Sequence, residues 1–168
     1  MKRVLMLGPP GSGKGTQGER LAGSLGVEHI SSGALLREAV AGGTPLGQQV
    51  EQAMSEGRLV SDELVSEAVR PALQRRNGYV LDGFPRKLSQ TEGIDFDAVV
   101  HLDVPKEEVV RRLLARGRAD DTEDAIAERL REYNDDTRPL LDHYRDVVVD
   151  VDGNRDPDEI AAELRERI

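Results

Sequence analysis

Apolar positions in this chain gather into five short runs, Arg3–Leu7, His29–Ser31, Tyr79–Asp82, Ala98–Val104 and Val147–Val151. Their apolar and β-branched content predicts strands. Val4, Leu5, Met6 and Leu7 are apolar at every position, as a strand covered on both faces of a parallel sheet must be. Longer segments with helical spacing separate the runs. The alternation predicts an α/β fold of three layers, with a central five-stranded parallel sheet and helices on both faces. Two stretches break the pattern. Ser32 to Val60 is helical without a strand and holds Gly33, Gly42, Gly43, Gly47 and Gly57. Arg116 to Thr122 is a polar connector between two helices. Beyond it Ile126, Leu130, Tyr133, Thr137, Leu140 and Tyr144 recur at alternating spacings of four and three, which predicts one buried stripe. Pro139 has no N–H to give and crowds the preceding turn, so a kink or break is expected near Arg138.

A length of 168 residues favours one domain. The 38% hydrophobic and 33% charged content is that of an ordinary globular chain rather than a disordered one. Cysteine is absent, which removes disulfides, thiolate metal sites and cysteine nucleophiles and suits a reducing, cytoplasmic setting. The formal charge of −9 argues against a general nucleic-acid binder. The apolar run at Met1–Gly8 is too short for a secretory signal, and no run nears the roughly 20 residues of a membrane helix. No membrane or nucleic-acid partner is expected.

The first chemical signal follows the first run. Gly8-Pro9-Pro10-Gly11-Ser12-Gly13-Lys14-Gly15-Thr16 leads from a strand into a helix expected over Gly18–Leu25. Glycines let successive backbone N–H groups point inward, and the helix N-terminus adds partial positive charge, so the loop makes an anion nest. Lys14 can reach the β- and γ-phosphates of a nucleotide. The strict P-loop pattern has Ser or Thr directly after the lysine, whereas here Gly15 precedes Thr16. Asp82, ending the run Tyr79–Asp82, is the acidic partner expected beside such a loop, holding Mg²⁺ through water.

These strings resemble the adenylate kinase family, of the short-lid kind. The loop from Gly8 to Gln17 has the family's form, including the glycine between lysine and threonine. Ser31-Ser32-Gly33-Ala34-Leu35-Leu36-Arg37 is similar to the family's first mononucleotide segment, and Gly57-Arg58-Leu59-Val60-Ser61-Asp62-Glu63-Leu64-Val65 to the segment ending that lobe. Asp82-Gly83-Phe84-Pro85-Arg86 followed by Gln90 is the most diagnostic string. Arg112, Arg116, Arg118, Asp120, Asp121 and Arg129 match the spacing around a minimal lid.

The resemblance implies a P-loop NTPase-like core (1–31, 61–116 and 122–168), a small helical mononucleotide-binding lobe (32–60) and a short lid (117–121). It implies a Mg²⁺-dependent enzyme that converts ATP and AMP reversibly to two ADP, working as a monomer without structural zinc. ATP would sit on Gly11, Ser12, Gly13, Lys14, Gly15 and Thr16, with Arg116 over its phosphates, Arg112 against adenine and Gly153 contacting it through the backbone. AMP would be held by Ser32, Arg37, Arg58, Leu59, Val60, Gly83, Phe84, Pro85, Arg86 and Gln90. Arg118 and Arg129 would reach the phosphates where the nucleotides meet. Lys14, Arg86, Arg116, Arg118 and Arg129 form the implied catalytic set.

Chemistry independent of the resemblance supports this division. Two polyphosphates repel, and of the basic residues 19 are Arg against 4 Lys; guanidinium forks neutralise and orient phosphate oxygens. Phosphoryl transfer asks mainly for positioning and neutralisation, and the acceptor is already anionic, so His29, His101 and His143 need no catalytic part. A glutamine amide at position 90 can pair with a donor and an acceptor on adenine, where related UMP/CMP kinases carry Asn. Those kinases are the alternative reading, with a non-catalytic adenine-nucleotide sensor as a second. Ser32 stands for the family's usual Thr and keeps its hydroxyl, and Ala34 stands for a common Asp. Only Thr91–Asp97 separate Gln90 from the next strand, so the helix carrying Gln90 must be short.

Overall fold

Val4, Leu5, Met6 and Leu7, between 0% and 3% exposed, lie in the middle strand of the sheet. The computed structural model describes residues 1–56, 60–119 and 121–168. Among these, β1 (Arg3–Leu7), β2 (Glu28–Ser31), β3 (Tyr79–Asp82), β4 (Ala98–Asp103) and β5 (Val148–Asp152) form a wholly parallel sheet in the order β2-β3-β1-β4-β5. Leu5 is registered with Leu81 on one side and Val99 on the other. The chain moves outward from β1 in both directions, so a crevice opens beyond the carboxyl end of β1, where open α/β sheets bind ligands.

The helices are α1 (Lys14–Leu25), α2 (Ser32–Ala41), α3 (Pro45–Ser55), α4 (Asp62–Gln74), α5 (Lys106–Arg116), α6 (Glu123–Glu132), α7 (Leu140–His143) and α8 (Pro157–Arg167). Strand pleating sends alternate side chains to opposite faces. Leu5, Leu7, Leu81 and Val99 pack with Val69 and Leu73 of α4 and with Leu140 and Tyr144. Met6, Val80, Val100 and Leu102 pack with Leu21 of α1 and with Ile160 and Leu164 of α8. No helix among the described residues is long and apolar enough to cross a membrane.

The expected single stripe divides instead between two cores. Ile126 and Leu130 join Val104, Val109 and Leu113 in a third cluster, whereas Leu140 and Tyr144 belong to the first. Pro139 is the reason. Without an N–H, proline cannot continue the i→i−4 ladder, and the chain passes through a π turn at Tyr133–Thr137. There Arg138 N–H donates to Tyr133 O five residues back, at 2.8 Å. The wider turn re-aims the following residues toward the sheet.

In the helical stretch between β2 and α4, Thr44 Oγ1 accepts from Gly47 N–H at 3.0 Å and donates to Ala39 O at 3.1 Å. A Cβ at Gly47 would overlap the Ala39 carbonyl. Helices α2 and α3 therefore touch backbone to backbone.

Candidate active site

The loop after β1 ends earlier than expected: α1 begins at Lys14 rather than Gly18. Lys14, Gly15 and Thr16 thus belong to the first helical turn, whose N–H groups lack partners within the helix. Gly13 caps it at φ 94°, a left-handed conformation that needs glycine. Lys14 Nζ donates to Pro9 O at 3.1 Å, across the loop. Ser12 is 2% exposed, and its Oγ has no hydrogen-bond partner among the described residues. Burial pushes the Lys14 ammonium below its ordinary pKa; Asp82 opposes this, while Arg86 and Arg116 add to it. Lys14 thus feels the charge of one carboxylate and two guanidinium groups. A Cβ at Gly15 would lie 3.6 Å from Asp82 Oδ2, so the glycine borders that carboxylate.

Beside the loop, Arg112 of α5 joins three elements. Its guanidinium donates to Gly153 O at 3.1 Å, to Ser12 O at 3.5 Å and to Glu108 Oε1 at 2.9 Å. Gly153 N–H in turn donates to Asp103 O at 2.8 Å. Arg112 therefore ties the phosphate loop to the turn after β5.

Beyond β3, Gly83 is the meeting point. Its carbonyl accepts from Ser32 Oγ at 3.1 Å and from Arg86 Nε at 3.0 Å. Thr137 of the π turn donates to Arg86 O at 2.7 Å. Phe84 is 0% exposed and its ring packs in the first core. Pro85 is likewise buried. Gln90 sits at the end of a single 3₁₀ turn, Leu88–Gln90, so the short helix expected there is reduced to one turn. Its amide is engaged: Oε1 accepts from Arg86 N–H at 2.8 Å, and Nε2 donates to Asp62 Oδ1 at 3.3 Å. Arg37 lies back over its own helix, where a Cβ on Gly33 would stand 3.1 Å from its Nη1.

After α5, Asp121 gathers the arginines. Arg116 binds both carboxylate oxygens, at 2.8 and 2.7 Å; Arg129 Nη1 reaches Oδ1 at 3.2 Å. Arg118, itself exposed, contributes its backbone N–H at 3.2 Å. These bonds, Arg116 foremost, hold the Asp121 carboxyl well below the ordinary carboxylate range.

Asp82 borders Gly15 of the loop, Ser32 meets Gly83, and Arg116 and Arg129 share the Asp121 carboxylate; Asp82, Arg86 and Arg116 act on Lys14 through their charge. Arg37 and the Arg118 side chain are not drawn into these contacts. Arg58, Leu59 and Asp120 lie outside the described residues, and Val60 is half-buried just ahead of α4. Asp62, Arg70 and Thr137 hold site segments in place. Asp62 lies in the Gly57–Val65 string without a role assigned there, while Arg70 and Thr137 carry no motif signal, and Arg70 donates to Gln90 O at 3.2 Å and to Glu92 O at 2.9 Å. His101 and His143 have their contacts elsewhere. His101 bridges Asp150 at 2.8 Å and Tyr133 at 3.1 Å, and His143 meets the Tyr144 ring edge-on at 4.5 Å.

A parallel sheet with a lysine-bearing phosphate loop at its switch point, faced by an acidic strand end and several arginines, defines a P-loop phosphotransferase. Residues 6–149 match the family model described as adenylate kinase. The adenylate kinase of Nocardia farcinica is 45% identical over 170 residues, covering 94% of each chain. That of Thermus thermophilus is 45% identical over 177 residues, 96% of this chain and 94% of its own. Adenylate kinase 1 of Nostoc sp. is 42% identical over 179 residues. The chain belongs to the adenylate kinase family and is a nucleoside monophosphate kinase.

Proposed function

We propose that this enzyme transfers the γ-phosphoryl group of ATP to AMP, yielding two ADP, and runs equally in reverse. The glycine-capped nest that opens α1 at Lys14, with the Asp82 carboxylate bordering Gly15, carries this reading. ATP phosphates occupy the nest from Gly11 to Thr16, where the buried Ser12 hydroxyl is ready for a partner. Arg112 and Gly153 border the donor adenine. AMP lies against Ser32, Gly83 and Arg86, with Gln90 toward its base and Arg37, Arg58, Leu59 and Val60 completing the lobe 32–60. The residues 117–121 act as the lid.

An AMP phosphate oxygen attacks the γ-phosphorus as the bond to the β–γ bridging oxygen breaks, and that oxygen leaves on ADP. No proton moves, so no general base is needed. Lys14 and Arg116 neutralise charge on the transferring group, and Arg86, Arg118 and Arg129 keep the acceptor in line. The donor set suits Mg²⁺: the Asp82 carboxylate borders Gly15 of the nest, and Mg²⁺ on nucleotides usually keeps waters and takes one or two carboxylates. Asp82 would hold it, and bound Mg²⁺ would supply charge neutralisation at the β- and γ-oxygens. The chain works as a cytoplasmic monomer.

ADP formation with AMP, CMP, UMP and GMP as acceptors tests this reading. AMP is expected to be preferred; a pyrimidine preference would overturn it.

A further inference from the structure

Gln90 is held at both ends of its amide by groups of opposite kind. Its Oε1 faces the Arg86 N–H at 2.8 Å and its Nε2 faces Asp62 Oδ1 at 3.3 Å, with only 4% of the residue exposed. A backbone N–H only donates and an ionised carboxylate only accepts. Rotating the amide by half a turn would set NH₂ against N–H and carbonyl oxygen against carboxylate. Two hydrogen bonds would become two repulsions.

Asp62 is itself fixed. Its Oδ2 pairs with Lys87 Nζ at 2.8 Å, and it lies in the first turn of α4, where partial positive charge favours an anion. From the same helix Arg70 secures the backbone of the 3₁₀ turn through Gln90 O and Glu92 O.

A side-chain amide has two hydrogens and two acceptor positions. One of each is used here, which leaves one donor and one acceptor in a set order. An amino base such as adenine offers a donor beside an accepting ring nitrogen; a keto base such as hypoxanthine offers an acceptor beside a donating one. A freely turning amide serves both, and a pinned one serves a single order.

We propose that Asp62 sharpens the acceptor site's distinction between amino and keto bases, acting beside the Arg86 N–H as a positioning residue that sets the order of donor and acceptor on Gln90. The inference rests on Gln90 facing the acceptor base. AMP and inosine monophosphate, which differ by the amino-to-keto exchange, are the probes. The variant Asp62→Asn offers Gln90 either a donor or an acceptor, so a turned amide meets one repulsion, from the Arg86 N–H, instead of two. Its AMP-to-IMP ratio of kcat/KM is expected to fall roughly tenfold, through a lower KM for IMP, with kcat on AMP retained. Asp62→Ser, whose hydroxyl also donates or accepts, gives the same readout should Asp62→Asn fail to fold. Ser61→Ala removes the neighbouring cap on Leu64 N–H and is expected to keep the wild-type ratio; an equal fall there would mean mere loosening of α4 and would overturn the proposal. Gln90→Leu separates the two readings. An unchanged ratio in Gln90→Leu defeats the assignment of Gln90 to the base, whereas a fall in Gln90→Leu with none in Asp62→Asn defeats the role of Asp62 alone.

Discussion

Asp121 grips Arg116 with both carboxylate oxygens, at 2.8 and 2.7 Å, and its side chain has no exposed surface. The two-point fork sets the guanidinium plane as well as its position. Replacing Asp121 with Asn keeps the shape and removes the charge that holds Arg116 and Arg129 together. Misplaced catalytic groups are costly, so kcat should fall between about ten- and a hundredfold, with KM for AMP changed far less. Steady-state kinetics on both substrates decide this; an intact kcat would mean the arginines find their places without the carboxylate.

Lys14 lies under two opposed influences, burial and neighbouring arginines against Asp82. Its lowered pKa means the folded enzyme gives up this proton below the ordinary 10.5. The alkaline fall of kcat/KM for ATP should therefore begin at lower pH than a free lysine would set. The linked stability has the matching sign: the unfolded chain holds the proton longer, so this residue's contribution rises with pH through that window. Lys14→Met should abolish the alkaline limb and lower kcat by at least about a hundredfold, with the circular dichroism spectrum unchanged.

Glu108 is drawn down from 4.5 to about 2 by hydrogen bonds from Arg111 and then Arg112. A carboxylate with a depressed pKa stabilises fully above its ordinary value and loses that contribution as pH falls through the lowered one. Urea melts of the wild type and Glu108→Gln should thus differ most above pH 4.5 and converge as pH nears 2. A difference constant with pH would assign the effect to packing.

Gly153 has no room for a side chain: a Cβ there would stand 2.7 Å from Val104 Cγ2 and 3.3 Å from Asp103 O. Gly153→Ala should destabilise the fold by about 1–3 kcal/mol and raise KM for ATP, because Arg112 holds this carbonyl. Thermal melts and donor titrations read the two effects separately.

The sheet and the phosphate loop were legible in the chain because their signals are local. Val4–Leu7 is apolar throughout, and Gly8–Thr16 is one uninterrupted string. The start of α1 was missed because Gly13, not Gly18, takes the left-handed conformation, and sequence spacing does not report φ. Pro139 announced a break, but not that the backbone would widen into a π turn. The support around Gln90 was beyond reach for a different reason. Asp62 and Gln90 lie 28 positions apart, and only the packing of α4 against the 3₁₀ turn makes them neighbours. Arg70 and Thr137 likewise act on backbone carbonyls, which have no residue signature.

One continuous stretch, from Arg129 through the π turn to Thr137, rests at one end on Asp121 and at the other on the Arg86 carbonyl. It works as a beam between the turn after α5 and the segment after β3, with its joint at the widened turn. Slackening either anchorage would tilt the other, so the Asp121 cluster and the Gly83–Arg86 segment share a single mechanical span.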